Sequence, residues 1–440
     1  MSDLLAARSQ MGMSLAFHIV FAAIGMGMPL LMAVAEWRWQ RTRDPVYHTL
    51  ARQWARGTAI FFAVGAVSGT VLSFELGLLW PRFMEHAGAI IGMPFSLEGF
   101  AFFAEAIFLG IYLYGWDRVP ERAHLAAGVM VALAGLASAL FVMTANAWMN
   151  APAGFDIVEG AFTNIDPVAA MLNPASLPMT VHMILAAYLA TGFGVAGVHA
   201  WLLRRDRKSR FHRLAIALAL ALAAPLAVLQ PLSGDVLARF TADHQPIKLA
   251  AMEALFETRA GAPILIGGIP DAESGRNLGP SIEVPRLLSL LVRHDPDAEV
   301  RGLNEFPRDE WPPLVPVRLA WQAMVGLGTL LALVGLLAGW RWWRRPDPLD
   351  GRWFLPLLAT CAPLGFLAIE AGWIATEVGR QPWIIYGVMR TKDAVTPMPG
   401  LIVPFLTFSL LYLFLSAIIV FLMKRMVLTA PDERAPAPHG

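Results

Sequence analysis

Residues 11–35 read MGMSLAFHIVFAAIGMGMPLLMAVA, a run without a single Asp, Glu, Lys or Arg. That run decides the fold. A bilayer core is crossed by about 20 consecutive apolar residues in a helix, because only a helix or a closed barrel satisfies its own backbone in lipid. The stretch is too long for the apolar core of a signal peptide and has no small-residue cleavage site after it, so it reads as the first span. Eight further apolar runs of membrane-crossing length, some holding a single acid or two, follow at 57–81, 95–116, 125–149, 179–203, 214–232, 316–340, 353–377 and 401–423. The expected fold is therefore all-α and integral to the membrane, with about nine transmembrane helices.

Composition agrees with this reading. Of 440 residues 57% are hydrophobic and 15% charged, a balance a water-soluble core of this size does not need. A net charge of +1 excludes a phosphate-neutralising surface and with it a nucleic-acid partner. Cys361 stands alone, so there is no intrachain disulfide, no CxxCH attachment and no thiolate set for an iron–sulfur cluster. Any metal falls to His, Met or carboxylate ligands.

Orientation follows from the basic residues. With the N-terminus outside, twenty Lys and Arg fall on inner loops and the C-terminal tail, among them the cluster from Arg204 to Arg213, against five on the short outer segments. The positive-inside rule thus predicts a periplasmic N-terminus and a cytoplasmic C-terminus. The chain divides into helices one to six over 1–232, a periplasmic loop over 233–315, helices seven to nine over 316–428, and a Pro- and Ala-rich tail, 429–440, expected to be disordered. No internal repeat of the transporter kind is visible.

Five acids lie in the spans: Glu75, Glu98, Glu105, Glu370 and Glu377. An ionised side chain at a helix centre costs about 2.5–3.5 kcal/mol on insertion scales, so such acids are protonated, paired or metal-bound. Measured from 95 as the outer end of helix three, Glu98 lies roughly 5 Å in and Glu105 roughly 15 Å in, on one helix face. His18, His182, Met324, Glu75, Glu370 and Glu377 fall in the same outer half. A buried cofactor site explains the layer; a proton-coupled transporter using Glu98 and Glu105 is the alternative. For each residue there is also a plain packing role, and His199, His212 and the loop histidines are assigned to it.

Motifs at the same positions carry a resemblance. FFAEAIFLGIYLYGWDR (102–118), TANAWMNAP (144–152), LNPASLPMTVH (172–182), IKLAAMEALFET (247–258) and EAGWIATEVGRQPW (370–383) resemble subunit I of cytochrome bd quinol oxidases. The likeness runs from about Arg8 to Leu401, and its loop resembles the short-loop branch that includes the cyanide-insensitive oxidases. It implies a quinol:oxygen oxidoreductase of the bacterial inner membrane, working without copper on three haems: low-spin haem b, high-spin haem b, and haem d or a further haem b. His182 and Met324 match the axial pair of the low-spin haem, while His18 and Glu377 match ligands of the other two. Two permanent ligands suit an electron carrier, and an open position suits oxygen.

The resemblance assigns further roles residue by residue. Glu98 matches an acid at the active haem, and Glu105, Ser138 and Asp117 match a proton path from the cytoplasm; Asp117 alternatively pairs with Arg118 or Arg122 at the interface. Lys248 and Glu253 match quinol-oxidising residues, while Arg8, Trp373 and Arg380 match residues beside the haems. Subunit II, quinol and O2 are the implied partners, and a small accessory membrane subunit is left open. One departure stands out: Gln322 occupies the position, two before the Met ligand, where the family commonly carries Arg. Which quinol is used, and which of His18 and Glu377 serves the oxygen-reducing haem, the resemblance leaves open.

Overall fold

The computed structural model describes residues 2–427, so the tail expected to be disordered lies outside the described residues. Among the described residues nine helices are long and apolar enough to cross a membrane. They are α1 Asp3–Thr42, α2 Pro45–Leu79, α3 Pro81–Tyr114, α4 Glu121–Asn150, α5 Ser176–Leu203, α6 Arg210–His244, α7 Leu314–Arg344, α8 Phe354–Val378 and α9 Ile402–Met426.

Several outlast the apolar runs that announce them. α3 begins at Pro81 rather than 95, because Arg82, Glu85, His86 and Pro94 interrupt the hydropathy without interrupting the backbone. A single residue, Trp80, joins it to α2, and Pro81 stands where a helix's first N–H would be unpaired anyway. The distances of Glu98 and Glu105 from the outer end of this helix are corrected by this: Glu98 lies about 25 Å along the helix from Pro81 at 1.5 Å per residue. Likewise α6 continues past 232 to His244, its last turns carrying Asp235, Arg239 and Asp243. α8 is broken between Phe354–Cys361 and Leu364–Val378, at Pro363.

Small residues let the helices approach closely, as membrane packing favours. A Cβ on Gly192 would sit 2.6 Å from that of Ala223, and one on Gly365 2.5 Å from Ala190 Cα. Two of the resulting cores tie the helices together as follows. Leu31, Met32, Leu50, Trp54, Leu109 and Tyr112 join α1, α2 and α3. Phe193, Ile216, Leu331 and Phe354 join α5, α6, α7 and α8.

The segment between α6 and α7 is folded. It opens with a short helix, Pro246–Glu253, ended by Ala254 in the left-handed region, and continues into a hairpin of Ile264–Asp271 with Arg276–Val284. Ile247, Ala250, Ala251 and Met252 share a core with Val317, Ala320 and Ala375, so the short helix is pressed onto α7 and α8.

Candidate functional site

The intramembrane polar residues are brought together pairwise across helix contacts. On the α1–α2 contact, His18 Nδ1 lies 2.9 Å from Ser68 Oγ, which leaves Nε2 as the ring nitrogen to present to a ligand. Gly69 passes so close that an added Cβ would be 3.1 Å from His18 Cε1. Glu75 is buried on the same contact, its Oε1 accepting from Gln10 Nε2 at 2.9 Å and Ser14 Oγ at 2.8 Å.

Between α5 and α6, His182 Nδ1 is 3.0 Å from Ser233 Oγ, Gln230 Nε2 is 3.1 Å from His182 Nε2, and Gly234 faces the ring. Between α7 and α8, Met324 Sδ lies against Gly372, where a Cβ would be only 2.7 Å away. Thus His18, His182 and Met324 each stand opposite a glycine of the next helix. Nothing in the chain's one-dimensional pattern singles out those glycines, because it does not say which helix a histidine faces.

α8 and the turn after it hold the charged group. Glu377 Oε1 accepts from Asn146 Nδ2 of α4 at 2.9 Å, and its Oε2 pairs with Arg380. Arg380 is 2% exposed, yet its Nε and Nη1 have no hydrogen-bond partner among the described residues. Burial pulls its guanidinium below the usual arginine range, against the attraction of Glu377. Trp373 is half-buried with its ring edge near Gly12 of α1. Arg8, near the start of α1, is exposed.

The loop helix inserts two titratable residues into this surrounding. Lys248 is buried and donates from Nζ to Asn150 Oδ1 at 2.8 Å; its chain also covers Gly379. Burial, and then Arg380, push its ammonium down to about 7, opposed by Glu377. Glu253 faces α7 instead: Oε1 accepts from Trp321 Nε1 at 2.9 Å, and Oε2 lies 3.6 Å from Arg318 Nη1. Burial raises its carboxyl, while Arg318 and Trp321 hold it back. Gln322 Nε2 donates to Gly267 O of the hairpin at 3.0 Å. Asn146, Asn150, Gln230 and Trp321 are functional neighbours that sequence reading missed, although TANAWMNAP contained both asparagines.

On α3 and α4, Ser138 Oγ donates to Glu98 Oε1 at 3.0 Å, and Glu105 is buried against Gly135. Asp117 is separate from them. It sits past the end of α3 with φ 62°, exposed, and pairs with Arg52 at 3.2 Å rather than with Arg118 or Arg122.

Residues 6–431 match the family model described as cytochrome bd terminal oxidase subunit I. The chain belongs to that family. It is 40% identical over 96% of both chains to a putative cytochrome bd menaquinol oxidase subunit I of Bacillus subtilis. It is 31% identical to a cytochrome bd ubiquinol oxidase subunit 1 of the same organism, covering 97% of this chain and 94% of that one. The solved structure of the bd oxidase from Geobacillus thermodenitrificans superposes with a TM-score of 0.92 at 40% identity, over 98% of this chain and 99% of that one. Membership makes the chain a multi-pass membrane subunit of a terminal quinol oxidase, an oxidoreductase. The transporter alternative is not supported.

Proposed function

We propose that this chain is the haem-bearing subunit that oxidises quinol at the periplasmic face of the inner membrane and reduces O2 to water with cytoplasmic protons. The distribution of basic residues supports that orientation, and residues 233–315, the last turns of α6 with the folded segment after them, form the quinol-binding loop in this proposal. A second membrane subunit is part of the proposal. The relatives' names divide between menaquinol and ubiquinol, so the proposal is for a quinol without choosing the ring.

The observation that carries the haem assignment is Arg380. A buried guanidinium with two unpartnered donors calls for carboxylates, which haem propionates would provide through charge-assisted hydrogen bonds. The donor set fits as well. Among the described residues no three His, Cys, Asp or Glu side chains gather as a metal-ion site, and the proposed ligands stand singly on different helices, as a porphyrin iron requires. His182 and Met324 would hold the low-spin haem b, and His18 and Glu377 would hold the high-spin haem b and the third haem, of d or b type. When bound, the haems supply one-electron transfer and the place of oxygen reduction.

The chain's own residues would do the rest. Glu253 takes a proton from the quinol hydroxyl while Arg318 and Trp321 hold its carboxylate in place, and Lys248 orients the ring oxygen. Trp373 and Arg8 line the haem side of α8 and α1. Glu105, Ser138 and Glu98 pass protons from the cytoplasmic side toward the haems along α3 and α4, while Asp117 stays at the surface, paired with Arg52. The test is a reduced-minus-oxidised spectrum with pyridine-haemochrome analysis of the purified oxidase, alongside quinol-driven oxygen consumption. Haem bands and quinol-dependent consumption are expected; a colourless protein sinks the proposal.

A further inference from the structure

The contact between α3 and α4 is antiparallel through its inner half, and from Glu105 inward it keeps one register. Glu98 bonds Ser138; seven residues on, Glu105 lies against Gly135, where a Cβ would be 3.4 Å from its Oε2. Seven more on, Tyr112 covers Gly128, where a Cβ would be 2.6 Å from the ring. The next level is His124, with Nε2 2.9 Å from the Tyr112 carbonyl and Nδ1 2.9 Å from Glu36 Oε1 of α1. His124 is 3% exposed and Glu36 0%, and Glu36 Oε2 has no hydrogen-bond partner among the described residues.

The bonding pattern counts protons. A carbonyl oxygen only accepts, so His124 Nε2 must carry a hydrogen. One further proton then lies between Nδ1 and Oε1, giving either an imidazolium facing a carboxylate or a neutral ring facing a carboxylic acid. The pair is therefore a buried store for one exchangeable proton. It lies close to the surface, since Gln40 Nε2 donates both to Glu36 Oε1 at 3.1 Å and to the carbonyl of Glu121, whose exposed carboxylate pairs with Arg43. Asp117, by contrast, is exposed, outside this register and held by Arg52.

We propose that Glu36 and His124 form the inner proton-loading pair of the α3–α4 path. A proton from the inner aqueous phase binds Glu36 Oε2, and the shared proton leaves toward Glu105; one enters, one leaves, and only O–H and N–H bonds change. The step from Tyr112 to the level of Glu105 is about 10 Å along the helix and is one that water must carry. This rests on the reading that Glu105 and Glu98 deliver protons for oxygen reduction.

The competing role is a structural clamp joining α1, α3 and α4. Glu36→Gln keeps the shape and a bond to His124 Nδ1 but removes the acid, at the loss of the bond from Gln40 Nε2, so the two roles separate in the electrogenic phase that follows oxygen addition to the fully reduced oxidase in liposomes. The expected result is a phase slowed by about tenfold or more, with haem content and quinol KM unchanged, and largely restored by Glu36→Asp. A wild-type phase in Glu36→Gln beside a slowed one in Glu105→Gln overturns the proposal and leaves the path standing. Wild-type phases in both overturn the path and the proposal with it. If Glu36→Gln does not assemble, His124→Gln, which keeps a donor for the Tyr112 carbonyl, takes the same test, and a wild-type phase there also overturns the proposal.

Discussion

Trp321 Nε1 donates to Glu253 Oε1 at 2.9 Å, fastening the last residue of the loop helix to the second turn of α7. The carboxyl is raised by burial and lowered by Arg318 and this indole. Trp321→Phe deletes one hydrogen bond made to the charged form, so the pKa of Glu253 rises further. If Glu253 accepts the quinol proton, the acid limb of kcat/KM against pH moves to higher pH by up to about one unit. A limb that stays in place, or moves to lower pH, removes Glu253 from that role.

Lys248 makes the complementary prediction. Its ammonium, held to about 7 by burial, is charged below that pH and neutral above it. Quinol affinity that depends on the cation is therefore present on the acid side and lost as pH rises through about 7. Lys248→Ala should raise KM by about tenfold at pH 6, the scale of a hydrogen bond to a charged group, and should make KM insensitive to pH around 7. Asn150→Ala, which removes the acceptor of Nζ, should raise KM in the same direction. An unchanged KM in Lys248→Ala would dismiss the assignment.

How much of this was legible in the sequence depended on the range over which each signal acts. Hydropathy runs as long as the bilayer announced nine helices, but they could not announce Pro81 as the start of α3 or His244 as the end of α6, where charged residues continue a helix beyond the apolar window. The resemblance put forward His182 and Glu377 within quoted motifs and Met324 outside them, because family likeness acts on position alone. Partners from distant helices were illegible for a physical reason. Gly234 faces His182, Gly372 faces Met324 and Asn146 bonds Glu377 across separations that only tertiary packing closes. Glu36 follows directly on the first apolar run, where an acid reads as an ordinary interfacial charge.

The Gly372–Met324 contact gives a prediction without removing any ligand. Gly372 is helical, so alanine fits its backbone, but the new Cβ would stand 2.7 Å from Met324 Sδ and the thioether must move. Gly372→Ala should weaken the six-coordinate low-spin signal in the same way as Met324→Leu, while His182→Ala removes it and all three leave the remaining haems in place. The optical spectrum of each variant checks this. A normal low-spin signal in both Gly372→Ala and Met324→Leu would show that Met324 is not an axial ligand.

Gln322 stands where the family commonly has Arg, and its amide shares the Gly267 carbonyl with Arg318, which is one turn away on the same face of α7. Met324, two residues further, is turned by about 200° at 100° per residue. A guanidinium introduced by Gln322→Arg meets Arg318 at that carbonyl, and like charges favour moving the longer arm away from the hairpin. A cation added near the low-spin haem stabilises the ferrous state, which carries one positive charge fewer, so its midpoint potential rises. For a separation of about 11 Å and an effective dielectric of about 20, the interaction is roughly 1.5 kcal/mol. At 59 mV per tenfold change for one electron, that is about 60 mV, reduced where solvent reaches the site. Redox titration of the variant with its six-coordinate signal intact is the measurement. A midpoint equal to that of the parent would mean the new guanidinium stays on Arg318's face, bound to the hairpin, too far from the iron to act on it.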